Sequence, residues 1–256
     1  MLGLQILFHA IRMVLGNPGP AVRISALPMV VVLVLTLAMG GPSAMVIEPD
    51  APQLAGQAGG LVLATLLQLA AALWIAVAWH RHVLLEETPE GLVPPFNGGA
   101  ILSYLWAGII FSLVLMLVAI PFVMLAAVIV GPIIVADQGL VRGPAALVML
   151  LLVWLPVTFV SYRISPILPS AAIGNRLPLK EAWYATGTGG ASFIVLALAS
   201  VLVVWGLNVP VGLLAHVSVL LAFLWAFAVQ WAVTLGAASV LTTIYGHFVE
   251  KRELHV

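Results

Sequence analysis

The chain has 256 residues, 63% hydrophobic and 7% charged, with nine Lys or Arg against nine Asp or Glu and a formal net charge of zero. Soluble domains carry about 25% charged residues, so a water-soluble surface is excluded for a sequence with a mean hydropathy of +1.21. Zero net charge gives no bulk attraction to nucleic acid, and the lack of cysteine excludes disulfides, thiolate nucleophiles, iron–sulfur clusters and Cys-ligated zinc.

The opening segment, MLGLQILFHAIRMVLG, has no basic leader and is interrupted by Gln5, His9 and Arg12, so it does not read as a signal peptide. Those three residues are spaced i, i+4, i+7 and share one helical stripe, with Leu4, Leu7, Phe8, Ile11 and Leu15 around the rest. Residues 1–16 are therefore expected to form an amphipathic helix in the membrane interface. Asn17-Pro18-Gly19-Pro20 ends it. Apolar runs then predict six spans, at about 25–45, 59–79, 101–136, 144–160, 191–207 and 211–245. A helix of 18 or more apolar residues crosses a hydrocarbon core of about 30 Å. The expected fold is an all-α polytopic transmembrane bundle, with residues 1–256 as a single integral membrane domain.

Segment 101–136 would be about 50 Å long as a helix, more than one upright span needs. It contains Pro121 and Gly131-Pro132. The cations decide between one span and two. With one span and the N-terminus inside, Arg12, Arg23, Arg81, Arg163, Arg176, Lys180, Lys251 and Arg252 fall inside and only Arg142 outside. With two spans the division is four against five. Cytoplasmic loops carry an excess of Lys and Arg, so one span is expected, its extra length taken up by tilt, a kink at Pro121 or emergence beyond the bilayer. Trp79, Tyr104, Trp106, Tyr162, Trp183, Tyr184 and Tyr245 lie near the same inner boundary, the depth aromatic residues prefer. Glu48, Asp50 and Asp137 lie in the outer loops. Both termini are expected to be cytoplasmic.

Two inner loops concentrate the polar residues. The first, AWHRHVLLEETPEGLVPPFNGG (78–99), carries His80, Arg81, Glu86, Glu87 and Glu90. Its acids are expected to meet Arg12, Arg163 or Arg176 across the inner face, and His82 to approach Glu86 one turn away. The second, SYRISPILPSAAIGNRLPLKEAW (161–183), carries Arg163, Arg176 and Lys180. Pro166 and Pro169 stop the fourth span. Gly174-Asn175 marks a turn. Pro178 opens a short interfacial helix anchored by Trp183 and Tyr184. His80, Arg81, Glu86, Glu87, Arg163, Arg176 and Lys180 form the candidate cytoplasmic interaction surface, although topogenic charge and snorkelling side chains account for most of this pattern.

No Asp, Glu, Lys or Arg lies near the centre of an expected span. The polar residues there are Gln68 and Gln230, at similar depth, a candidate pair that bonds between helices or meets a substrate. Ala228, Ala232 and Gly236, four apart, form a helix-packing face. Pro121, Gly131-Pro132 and Pro156 are candidate helix breaks of the transporter kind. Of six histidines, only His80 and His247 lie at matched depth for a haem. No hydrolase triad, Walker loop, dinucleotide fingerprint or HExxH motif occurs, so neither catalysis nor a cofactor is expected.

AWHRHVLLEE after the second span and RISPILPSAAIGNRLPLKEAW after the fourth resemble a broad group of bacterial six-helix inner-membrane proteins. They are similar to the membrane domain attached to some glycerophosphodiester phosphodiesterases. The resemblance covers most of the chain in layout and these two loops in residues. It implies a bacterial inner-membrane protein tied to the envelope. It transfers no catalytic residue, because the phosphodiesterase domain with its acidic metal ligands is missing. The first expectation is a non-enzymatic scaffold, assembly or accessory component of the envelope or of a larger membrane complex, with the bilayer and other membrane proteins as partners. The alternative is a transporter or lipid-handling protein with a polar midplane site at Gln68 and Gln230. A haem-binding redox protein comes third.

Overall fold

In a computed structural model of the protein, residues 1–38, 54–89, 91–136 and 143–254 are described. No strand occurs among them. Helix α1 is Leu2–Leu15, α2 Pro18–Ala38, α3 Leu54–Leu85, α4 Gly98–Ala136, α5 Gly143–Met149, α6 Leu155–Ile164, α7 Ile167–Ala172, α8 Leu179–Ala185, α9 Gly190–Ala215 and α10 Val219–Phe248. A π-helical turn, Leu150–Trp154, joins α5 to α6 as one membrane-length rod. Six helices are long and apolar enough to cross a membrane, so the chain is a multi-pass helical membrane protein.

Several boundaries depart from expectation for identifiable reasons. The first membrane helix begins at Pro18, not near residue 25, because proline tolerates the first helical turn. Its far end, Glu48, Asp50, Glu90, Asp137, Arg142 and His255 lie outside the described residues. Segment 101–136 is one helix, starting at Gly98 and running through Pro121 and Pro132. At 39 residues it is about 58 Å long, so it extends beyond a hydrocarbon core. The fifth helix does not end near Leu207. It runs through Pro210 to Ala215, and the break falls at His216–Ser218, where the Ser218 hydroxyl caps α10 by accepting from Leu221 N–H. A proline inside a membrane helix is tolerated where freed backbone groups find other partners. Pro210 leaves Gly206 O without its helical donor, and the neighbouring carbonyl, Leu207 O, accepts from Trp225 Nε1 at 2.9 Å. Pro156 has a different accommodation. Leu155 N–H reaches back five residues to Leu150 O, and this wider π turn relieves the crowding a proline ring causes against the preceding turn.

The expected interfacial helix α1 exists, and one of its faces docks on the bundle. Gly3, Ile6, Leu7 and Ala10 are buried against Phe193 and Leu196 of α9 and Val240, Ile244 and Phe248 of α10. Leu4, Phe8 and Leu15 on a second stripe are exposed. Gln5 and Arg12 on a third are exposed too. Three stripes fit a helix lying at a membrane surface beside a protein wall.

The core is concentrated at one end of the bundle. Besides the α1 cluster, Ile24, Ile75, Trp79 and Leu235 pack where α2, α3 and α10 meet. Val77, Tyr104, Ile167, Leu168, Ala172 and Ala182 pack between α3, α4, α7 and α8. All six residues of α7 are buried, so the connection expected to be a surface loop enters the core and plugs this end. Away from it, side chains such as Leu66, Leu117, Val128, Leu202 and Leu213 are more than half exposed and face the hydrocarbon.

Candidate functional site

The charged residues close the same end of the bundle. Arg81 grips the Glu87 carboxylate with two N–H groups, Nε at 2.8 Å and Nη2 closer. Its Nη1 donates to Ala172 O at the end of α7 at 3.1 Å. One arginine therefore ties the α3–α4 loop to the α6–α8 connection. Glu87 pairs within its own loop, not with Arg12, Arg163 or Arg176. His82 Nδ1 lies 2.8 Å from Glu87 O, not against Glu86, which turns out into solvent at φ 58°. Arg23 Nη1 and Arg252 Nη2 donate to Pro89 O and Leu84 O. Arg176 and Lys180 are exposed. They and Glu86 remain available as an interaction surface; His80, Arg81 and Arg163 are occupied inside the fold.

Arg163 is 9% exposed and clamps α6 to α8. Its Nη2 donates to Trp183 O at 2.6 Å, and its guanidinium lies 4.2 Å over the Trp183 ring. Thr186 Oγ1 returns a bond to Arg163 O at 2.8 Å. No carboxylate pairs with Arg163 among the described residues, and its Nε is buried without a partner there. Carbonyl and ring contacts take the place of a counter-ion. Arg163→Met is expected to lower stability by about 1–3 kcal/mol, from an unpaired carbonyl and a lost stacking contact. Arg163→Lys should recover less than half, since an ammonium cannot fork and stack together. Detergent-denaturation midpoints of the three proteins check this; a methionine variant as stable as the parent would contradict it.

His80 is fully buried. Thr242 Oγ1 donates to Ala238 O, so at 2.7 Å it accepts from His80 Nδ1–H. His80 Nε2 is thereby left as acceptor for Tyr104 O–H, at 3.4 Å. The chain Tyr104–His80–Thr242 thus links α4, α3 and α10. Two further bonds join helices, the second about 12 Å farther along α10 than the first. Trp79 Nε1 donates to Ser239 Oγ at 2.8 Å and Trp231 Nε1 to Ser25 Oγ at 2.7 Å. The two histidines named as a haem pair have other partners. Both ring nitrogens of His80 are engaged, while His247 Nδ1 faces Arg252 O at 3.2 Å. Among the described residues no group of three or more His, Asp or Glu is placed to hold a metal ion.

Gln68 and Gln230 come together. They line one groove of about 280 Å³ between α2, α3 and α10, with Thr36, Thr234 and Asn208 also on its wall. Both glutamines are exposed, and neither side-chain amide bonds to another described residue. Thr36 and Thr234 spend their hydroxyl protons on carbonyls one turn back in their own helices. Phe223, Phe227, Met29 and Ile75 supply the apolar wall, and no ionisable residue lines it among the described residues. Gln230 lies nine residues from Ser239, and Gln68 eleven from its partner Trp79. Both amides therefore sit about 15 Å along their helices from the buried tryptophan, well within the hydrocarbon. Hydropathy and depth mark the glutamine pair; they do not mark Asn208, which a fifth-span boundary near Leu207 places in a loop. On α10, Ala228 is exposed and Ala232 half-buried. Among the described residues, no atom packs within 4 Å of the Cβ position at Gly236.

No protein-family model, no curated protein and no solved structure matches the chain.

Proposed function

We propose that the chain is a multi-pass protein of the bacterial cytoplasmic membrane that handles a lipid-like amphiphile in the groove between α2, α3 and α10. The observation that carries this reading is the convergence of Gln68 and Gln230 on one apolar-walled groove. An amide left unbonded in hydrocarbon is costly, so two of them facing lipid at one depth suit a ligand that brings hydrogen-bonding groups to that depth. The described wall offers amides and no ionisable side chain, which suits an uncharged polar group. Both termini are cytoplasmic in this reading, since the described Lys and Arg residues gather at one end and cytoplasmic faces carry that excess.

The test is lipid retention by the protein purified in mild detergent, read by native mass spectrometry. Gln68→Leu with Gln230→Leu is expected to lower occupancy of a co-purifying amphiphile on the order of tenfold, as two intramembrane hydrogen bonds of about 0.6 kcal/mol each would. The melting temperature should hold or rise, because two unpaired amides are gone. Unchanged retention in the double variant would sink the proposal.

A second reading, an accessory subunit of a larger membrane complex, is supported by the open face at Ala228 and Gly236. Gly236→Leu would abolish co-purification of a partner if that face docks one, and a strictly lone polypeptide in the parent preparation counts against it.

A further inference from the structure

A second cavity, of about 520 Å³, opens at the charged end of the bundle. It lies between α1, the last turns of α3 and α10, and the C-terminal tail. We propose that it holds the headgroup of a zwitterionic aminophospholipid, a phosphate linked to a primary ammonium.

The charge pattern of the wall carries the assignment. Arg252 and Glu253 come from the tail, His247 from α10 and His9 from α1, while Met13 and Leu84 supply apolar surface. One guanidinium, one carboxylate and two imidazoles match a dipolar ligand better than a bare anion or cation. A guanidinium forks onto phosphate oxygens, and a carboxylate accepts from an ammonium. A quaternary ammonium has no N–H to give that carboxylate, so a choline headgroup meets only half of the site.

The tail is built into this position. Lys251 takes the left-handed conformation, φ 60°. Arg252 N–H then closes back on Gly246 O at 2.8 Å. Arg252 is held at the rim by Leu84 O at 3.2 Å and by Glu250 Oε2 at 2.6 Å from Nε. Leu254 packs against the α1–α9–α10 cluster, which leaves Glu253 exposed beside the opening.

The depth is that of lipid headgroups. The lining comes from the ends of two membrane-length helices, Val62–Leu85 and Val219–Phe248. It also comes from α1, whose exposed Leu4, Phe8 and Leu15 place that helix at the interface. The site is separate from the Gln68–Gln230 groove, shares no lining residue with it, and stands or falls without it.

The full chain, reconstituted in vesicles of equal parts phosphatidylethanolamine, phosphatidylcholine and phosphatidylglycerol with identical acyl chains, is extracted and its bound lipid measured by native mass spectrometry. Phosphatidylethanolamine is expected to be enriched on the order of tenfold, as one charge-assisted hydrogen bond allows. Glu253→Gln, at an exposed position, should erase the preference over phosphatidylcholine by lowering phosphatidylethanolamine retention to the phosphatidylcholine level. Arg252→Gln should lower retention of all three lipids. Soluble glycerophosphoethanolamine should displace the bound lipid at high concentration. Equal retention of the three lipids, a preference that survives Glu253→Gln, or displacement by inorganic phosphate as effective as by glycerophosphoethanolamine would each overturn the assignment.

Discussion

Trp79→Ala is expected to lower stability by about 3 kcal/mol. The indole has no solvent exposure and sits where α2, α3 and α10 meet, among Ile24, Ile75 and Leu235. Its Nε1 is the donor to Ser239 across 160 positions of sequence. Truncating a buried aromatic residue to alanine costs about 3–5 kcal/mol in soluble cores. The lower end applies here because part of that range is transfer from water, whereas separated membrane helices still contact lipid. What remains is lost packing and the cavity. Trp79→Phe separates the two contributions: it keeps most of the packing and loses the hydrogen bond, at about 1 kcal/mol. Reversible unfolding of both variants in denaturing detergent gives the two values. An alanine variant within about 1 kcal/mol of the parent would show that this end of the bundle is not where the helices are held together. Since total stabilities run to about 5–15 kcal/mol, the loss is large enough to read without ambiguity.

Much of this architecture is legible in the residues because a bilayer simplifies the physics. Length and apolarity alone mark a spanning helix, and one-sided cations separate a single 39-residue α4 from two spans. Gln68 and Gln230 are also legible as a pair, since an apolar field at one depth leaves two amides little to bond except each other or a ligand. The departures have separate causes. The fifth-span boundary near Leu207 falls short because a proline does not end a membrane helix as it does one in water. Pro210 sits inside α9, whereas the stop expected at Pro166 and Pro169 holds, since α6 ends at Ile164 and α7 is a new helix. The true break is marked by the N-cap Ser218 beside VLLAFL. Charge partners do not follow from spacing. Glu87 reaches Arg81 six positions away only because the chain reverses at Glu86 into the left-handed region. Local sequence places His80 at a loop for the same reason: nothing near it says that Thr242 and Tyr104 will close over it.

Gly3→Val is expected to detach α1 from the bundle, a change of about 2–4 kcal/mol in the docked state. A Cβ on Gly3 would run into the Ser192 carbonyl oxygen and lie 3.0 Å from Leu196 N. Both obstacles are backbone of α9, so no side-chain rotation relieves them. Retreat of α9 is resisted by its packing on α10 and by Tyr162 of α6, whose O–H donates to Ser200 Oγ at 3.1 Å. The remaining relief is for α1 to move away, which uncovers Ile6, now without exposure, and the facing Phe193, Ile244 and Phe248. The chain has no cysteine, so an introduced thiol reports this directly. Ile6→Cys should resist a water-soluble maleimide in the parent background and react once Gly3→Val is added. Gln5→Cys, at an exposed position on the polar stripe of the same helix, should react about equally in both. Continued protection of Ile6→Cys beside Gly3→Val would mean that α1 and α9 can separate locally without undocking. In that case α1 would be held chiefly by α10, through the packing of Ile6 and Ala10 in one cluster with Val240 and Ile244, and not by its close approach to α9.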